Sequence, residues 1–321
     1  MRVSVLIPIT GESPFLLETL KSVLLNRMSK EIILVDDGVV EQVKNMIFEF
    51  SKDFKTETIL IIPNAGQGLT DALNTGVSAC CGEFIARLDS DDLMNPSRLS
   101  DQLKEFLDNP SLLVLGSQCE YIDAYGNHVG ESRYPSGLIS NQDLLDKGNL
   151  LAHPSVMFRR EAFRIVGDYK EWFKWYGSDL TQDYDFWLRA SQLGQVRNLH
   201  KSLTKYRQHE KQVSQVNSIP SILGRYYVAA CNSELNFGGR TLNFGQDCWA
   251  TFRLARAFRR AYGLFPSILS FNLTLLLILA RRRNLKAKDY LLRKFIGRTA
   301  TYLEKSLSNH KFSKHICSEI R

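Results

Sequence analysis

The quartet Asp89-Ser90-Asp91-Asp92 crowds three carboxylates into four positions, directly after the apolar run Phe84-Ile85-Ala86 and Leu88. Acidic side chains are costly to desolvate, and packing several at the end of a buried strand is tolerated mainly where a cation or water neutralises them. The quartet is therefore a candidate site for a divalent cation and a diphosphate. Taken alone, it would equally read as a solvated turn that caps the helical pattern through Leu99, Leu103 and Leu107, which follows Asn95-Pro96. It does not stand alone. Pro8 to Thr10 and Asp36-Asp37-Gly38 end two other apolar runs, and Asp183 stands near the first turn of a helical pattern carrying Phe186, Leu188 and Leu193.

The elements that must position these residues are legible from periodicity. Val3 to Ile9 is an apolar and β-branched run in which only Ser4 is polar, the signature of a strand covered on both faces. Ser13-Pro14 then offers an N-cap and a first-turn proline to a helix carrying Leu16, Leu17, Leu20, Val23 and Leu24. A second buried strand, Glu31 to Val35, ends on Asp36-Asp37-Gly38. A helix (Glu41 to Phe50), a strand (Thr58 to Ile62), a Gly-containing loop (Asn64 to Gly68), a helix (Leu69 to Ala79) and the strand Phe84 to Leu88 continue the alternation. This pattern predicts an α/β fold with a doubly wound, mostly parallel sheet and helices on both faces, joined by right-handed crossovers. Ligands of such sheets sit outside the carboxyl ends of the strands, where the three acidic or proline-bearing ends converge. Neither GxGxxG after the first strand nor GxxxxGK[ST] anywhere is present, so a dehydrogenase-type dinucleotide fold and a P-loop are not supported.

Beyond residue 110 the pattern weakens. Leu112 to Gly116 reads as a strand, Tyr121 to Val129 as a hairpin turning at Tyr125-Gly126-Asn127, Arg133 to Asn149 as loop-rich, and His153 to Phe158 as a strand. Gln182 to Arg189 opens a helix.

The matching pieces are Val3 to Pro8, Val35-Asp36-Asp37-Gly38, Ala72-Leu73-Asn74-Thr75-Gly76, Gly82-Glu83-Phe84-Ile85-Ala86, Leu88 to Asp92, Pro96 to Leu99, His153 to Phe158 and Gln182 to Arg189. In this order and spacing they resemble the family 2 glycosyltransferases, which have the GT-A fold and usually transfer a sugar from a nucleotide diphosphate donor with inversion. The resemblance implies a nucleotide-binding sheet in a catalytic domain over residues 1–216. It implies that Pro8, Asp36, Asp37, Asp89 and Ser90 meet the nucleotide-sugar, with Asp37 at the uracil. It also implies that Asp91 ligates Mn²⁺ or Mg²⁺, joined by Asp89 and His209, and that Asp183 is the catalytic base. Asp92 is left to cap the following helix. The family usually writes Glu-Asp at the base; Gln182 replaces the Glu here. Tyr206 to Ser214 resembles the closing YRxHxxQxS pattern, in which the His approaches metal or diphosphate. For His209, as for His153, a satisfied structural histidine is the competing reading. Arg207 could bind phosphate or pair with a surface acid.

Bulk composition bounds the rest. The 321 residues carry a net charge of +7, but residues 1–239 hold 24 Lys/Arg against 30 Asp/Glu, whereas residues 240–321 hold 17 against 4. Residues 217–321 are thus expected to form a basic, mostly helical extension that contacts an anionic membrane surface or is simply solvated. The run Leu264 to Ala280 is too short and too interrupted by Pro266, Ser267, Ser270, Asn272 and Thr274 for a span. It reads as an interfacial segment or as the core of a helical subdomain. No nucleic-acid module is visible. Six cysteines without a framework read as reduced thiols, and a chain that starts at Met1-Arg2 and then a strand leaves no room for a signal peptide. A cytoplasmic enzyme peripheral to the inner membrane face is expected, with a nucleotide-sugar donor and a glycan or lipid-linked acceptor. The alternatives are a non-catalytic binding protein on the same fold and a nucleotidyltransferase, the latter disfavoured by the missing Gly-rich, basic loop after the first strand.

Overall fold

The computed structural model describes residues 2–28, 30–54, 58–171 and 181–209, together with Val228 and Asn232. The alternation read from the sequence is present: β1 (Val3–Gly11), α1 (Leu16–Leu24), β2 (Lys30–Val39), α2 (Glu41–Ser51), β3 (Thr58–Pro63), α3 (Leu69–Ala79) and β4 (Phe84–Arg87). β1 pairs in parallel with β2 and with β4, and β2 with β3. One face of this sheet buries Val3, Val5, Ile7 and Ile9 of β1 with Leu16, Leu20 and Val23 of α1 and Val43 and Ile47 of α2. On the other face α3 lies against Leu6 and Val35. A Cβ at its Gly76 would sit 2.1 Å from Leu6 Cδ1. A Cβ there would require the Leu6 and Val35 side chains to shift, so glycine sets this close approach. Helices therefore cover both faces, as the continuous apolar runs require.

The chain continues through β5 (Leu93–Met94), α4 (Arg98–Asp108), β6 (Leu112–Ile122), β7 (His128–Glu131), β8 (Gly137–Leu138), α5 (Asn141–Lys147), β9 (Met157–Arg159), α6 (Glu161–Val166), α7 (Gln182–Leu193) and β10 (Gln195–Arg207). The sheet runs β3-β2-β1-β4-β9-β6-β10-β5, with β7 on β6 and β8 on β10. β9 is the antiparallel insert that joins the parallel half to the parallel pair β6–β10. This is the GT-A type of architecture.

Three local expectations are corrected. Ser13 does not cap α1: the helix begins at Leu16 after Phe15, and Ser13, with φ +38°, donates its hydroxyl to Thr10 O at 2.7 Å. The stretch Arg133 to Asn149 contains α5, started by a reciprocal cap between Ser140 and Asp143. His153-Pro154-Ser155 forms a 3-10 turn, and the strand starts only at Met157. The chain divides into units Met1–Ala229 and Ala230–Arg321, and the elements above belong to the first. The expectations for the basic extension, including 264–280, lie outside the described residues. Among the described residues, no helix is long and apolar enough to cross a membrane.

Candidate active site

The acidic loop is built by strand pairing on both of its sides. β4 extends beside β1 as far as Leu88, whose N–H donates to Leu6 O at 3.0 Å. After Asp92 the chain enters β5, which pairs antiparallel with the end of β10, Leu93 opposite Lys205 and Met94 opposite Thr204. The loop is thereby held under the end of β10, and His209, just past that strand, reaches back to it: His209 Nε2 lies 2.8 Å from Asp91 Oδ2. Asp89, Asp91 and Asp92 each offer a carboxylate oxygen, and these oxygens lie within 4.8 Å of one another.

Asp92 is not the cap of the next helix. It is fully buried, its Oδ1 accepts the Arg207 backbone N–H at 2.8 Å, and Ser97 stands at the start of α4. The β5–β10 pairing carries it inward, away from the helix. Among the described residues its Oδ2 has no hydrogen-bond partner. A fully buried carboxylate oxygen left unpaired is costly.

The electrostatics of the cluster are those of anions without enough countercharge. Burial is the largest influence on Asp89 and pushes its carboxyl up. The Arg87 guanidinium, bonded to both carboxylate oxygens, pulls it back, and the charges of Asp91 and Asp183 push it up again, to about 6. Burial and the charges of Asp89 and Asp91 hold Asp92 well above the usual carboxylate range. Behind them Arg98 is fully buried and donates to the carbonyls of Arg87 and Val156 at 2.7 and 3.0 Å. Burial lowers it to about 9, so it stays cationic at neutral pH. Hard oxygen donors, an imidazole nitrogen and an unpaired buried oxygen form a donor set that fits Mg²⁺ or Mn²⁺. A cation there would relieve the repulsion that raises Asp89 and Asp92.

Asp183 enters from α7. Its carboxylate Oδ2 accepts from Asn149 Nδ2 at 2.6 Å, and its charge reaches Asp89. The second acid of that turn, Asp185, is fully buried and paired with Arg189 at 2.8 Å, which leaves Asp183 as the half-buried one. Just before it, Thr181 has φ +78°. A β-branched residue there costs of order 1–3 kcal/mol, the kind of strain that persists at functional sites.

The β2 end stands beside these groups, with Asp36 opposite Ile9 of β1. Asp36 is occupied by its own turn, accepting from Gly38 N at 3.0 Å and Val39 N at 2.8 Å, and pairs with Lys44 at 2.9 Å. Asp37 accepts from Asn64 Nδ2 at 2.8 Å and Gly68 N at 3.1 Å, tying the β3–α3 loop to β2. Pro8 is half-buried opposite Val35, and Ser90 is held through its carbonyl, which accepts from Thr19 Oγ1 at 3.0 Å. His153 is not one of the residues gathered in the acidic cluster. It is buried, 3.0 Å from the Tyr169 hydroxyl, among Tyr169 and Trp187, and is thus a core residue. Arg207 is also buried and engages Glu18 at 2.8 Å.

Sequence reasoning missed Arg87, Asn64 and Asn149. A charged residue inside the strand run Phe84 to Leu88 was a usable signal for Arg87. Nothing in its neighbourhood marks Asn149.

Residues 4–167 match the family model described as Glycosyl transferase family 2. The O-antigen biosynthesis glycosyltransferase WbnJ of Escherichia coli is 33% identical over 189 residues, 56% of this chain and 69% of that protein. The amylovoran biosynthesis glycosyltransferase AmsE of Erwinia amylovora is 28% identical over 236 residues, 71% of this chain and 84% of that one. The crystal structure of S. aureus TarS 1-349 in complex with UDP-GlcNAc superposes with a TM-score of 0.62 over 92% of each chain at 16% identity, a likeness of fold. With that sheet, the acidic loop at its carboxyl edge and the ordered motifs between residues 4 and 167, the chain belongs to the family 2 glycosyltransferases.

Proposed function

We propose that the chain is a metal-dependent, inverting glycosyltransferase that moves a sugar from a UDP-sugar to a hydroxyl of a surface polysaccharide or lipid-linked glycan. The observation that carries this reading is the gathering of Asp89, Asp91, Asp92 and His209 at one strand edge, with Asp183 close enough for its charge to act on Asp89.

In this reading Asp91 and His209 hold the cation, with Asp89 and the unpaired Oδ2 of Asp92 beside them. Bound Mn²⁺ or Mg²⁺ supplies neutralising charge for the departing nucleoside diphosphate. Asp183 accepts the proton of the acceptor hydroxyl while its oxygen bonds to the anomeric carbon. The bond from that carbon to the diphosphate breaks on the opposite face, and its electron pair leaves with the diphosphate. Asn149 holds the base in one orientation. Pro8, Asp36, Asp37 and Ser90 line the nucleotide side. Asp37 retains acceptor capacity beyond its contacts to Asn64 and Gly68, enough to take a base N–H.

The polysaccharide acceptor is supported by the O-antigen and amylovoran functions of the two relatives. Residues 1–216 form the catalytic domain in this reading, and the basic residues of 217–321 bring the enzyme to an anionic membrane face. Reversing the charge of Arg281, Arg282 and Arg283 in the full chain should release it from phosphatidylglycerol vesicles at low salt; unchanged sedimentation would refute the membrane role.

Calorimetric titration of UDP, GDP and TDP, with Mn²⁺ and then with EDTA, tests the central reading. Micromolar, metal-dependent binding of UDP is expected. Binding of GDP or TDP alone would overturn the base assignment, and equal binding in EDTA would overturn the metal dependence.

A further inference from the structure

Arg207 is nearly inaccessible, with 1% of its side chain exposed, so the phosphate-binding alternative does not apply to it. Its donors are spent inside the protein. Nε donates to Asp91 O at 2.8 Å, Nη1 to Ala124 O at 3.1 Å, and Nη2 to Glu18 Oε2 at 2.8 Å. Its backbone N–H serves Asp92 Oδ1. The guanidinium lies over the ring of Phe15 at 4.3 Å, and the same ring is 5.6 Å from the His209 imidazole. His209 then closes the circuit on the Asp91 carboxylate.

We infer that Arg207 and Phe15 are positioning residues for the Asp91–His209 pair, a role that rests on the metal reading above. The circuit fixes both members of the pair. Asp91 is held by its carbonyl, which fixes the point from which its side chain leaves the loop, and its carboxylate lies against His209 Nε2 at 2.8 Å. His209 lies just beyond β10 and is set by the Phe15 face. Five donors in a planar fork let a single arginine bridge α1, the acidic loop and the β6–β7 hairpin, a geometry that lysine cannot reproduce. Groups that orient metal ligands without touching the metal typically change affinity by about 10–100-fold when removed.

The test is titration of Mn²⁺ into the full chain in the presence of UDP, with free Mn²⁺ read by its paramagnetic resonance signal. Phe15→Ala is expected to weaken Mn²⁺ binding by about tenfold with an unchanged circular dichroism spectrum, and Phe15→Tyr, which keeps the ring, to restore it. Arg207→Lys should lose at least as much, and if that variant does not fold, the Phe15 pair decides. Phe15→Ala binding Mn²⁺ within twofold of wild type, or Phe15→Tyr failing to restore binding, would overturn the inference while leaving the metal reading standing. A wild-type chain that takes up no Mn²⁺ would overturn both.

Discussion

Asn149 Nδ2 stands 2.6 Å from Asp183 Oδ2, which joins the end of the α5 loop to the first turn of α7 and gives the carboxylate a fixed direction. A general base works only if its oxygen is aimed at the proton it takes, and such catalysis contributes about 10²–10⁴ in rate. Asp183→Asn keeps the shape and removes the basicity. It should therefore bind UDP and Mn²⁺ as wild type does and lose about 10³ in transfer, measured as UDP release. Asn149→Ala should lose less, since the carboxylate survives and only its orientation is freed. Wild-type turnover in Asp183→Asn would remove it from the role of base.

Asp91 and Asp92 differ in what their removal should do. Asp91→Ala deletes the carboxylate that faces His209 and should abolish the metal-dependent part of UDP binding in calorimetry. Asp92→Asn retains an Oδ1 to accept the Arg207 N–H, so the loop should stay in place while Mn²⁺ affinity falls. Identical Mn²⁺ affinity in Asp92→Asn and wild type would show that the unpaired Oδ2 plays no part in the site.

The half of the sheet that the sequence makes legible is the half whose strands carry long apolar runs. Val5 to Ile7 of β1, Ile32 to Val35 of β2 and Phe84 to Ala86 of β4 are runs of buried hydrophobic side chains, and they read directly. β6 is visible only to Gly116 and β10 not at all, because their buried positions are polar: Ser117 and Gln118 in one, Asn198, Thr204 and Arg207 in the other. Those residues bond to partners far along the chain. The Ser117 N–H donates to Ser155 Oγ, and Thr204 Oγ1 accepts from Arg98 Nη1. Hydrophobic patterning cannot foresee such pairs. The acidic cluster is legible because its members are neighbours in sequence, and His209 only through its motif, since the fold alone brings it to Asp91.

His153 provides a pH signature of the core. Burial, and secondarily the charge of Arg87, holds its imidazole well below its ordinary range, so the native state keeps it neutral while the unfolded chain protonates it near pH 6.5. The unfolded state binds the extra proton below that value, so this residue's contribution lowers stability as the pH falls from about 6.5, by up to about 1.4 kcal/mol per pH unit until the native group titrates. His153→Gln removes that contribution. Urea midpoints at pH 7.5, 6.5 and 5.5 should fall less steeply on acidification in the variant than in wild type. Parallel curves would mean that His153 is protonated in the native protein.

Two glycines separate a clash with backbone from a clash with side chains. A Cβ at Gly82 would lie 2.6 Å from Ser4 N and 2.8 Å from Arg2 O, at the start of β1, where nothing can rotate away. The N–H of Gly82 also donates to Ser4 Oγ at 2.8 Å and Glu31 Oε1 at 3.1 Å, so moving it would break that network. At Gly76 the obstacles are the methyl groups of Leu6 and Val35; these can change rotamer, and alanine recovers some helix propensity. Overpacking costs about 1–3 kcal/mol, and Gly82→Ala should stand at or above the top of that range with Gly76→Ala near the bottom. The two are compared by urea midpoint in otherwise identical chains. Because Gly82 leads into the strand that ends on the acidic loop, Gly82→Ala should also weaken Mn²⁺-dependent UDP binding, whereas Gly76→Ala should leave it intact. A reversed order of stability would place the tighter packing at α3 rather than at the entry to β4.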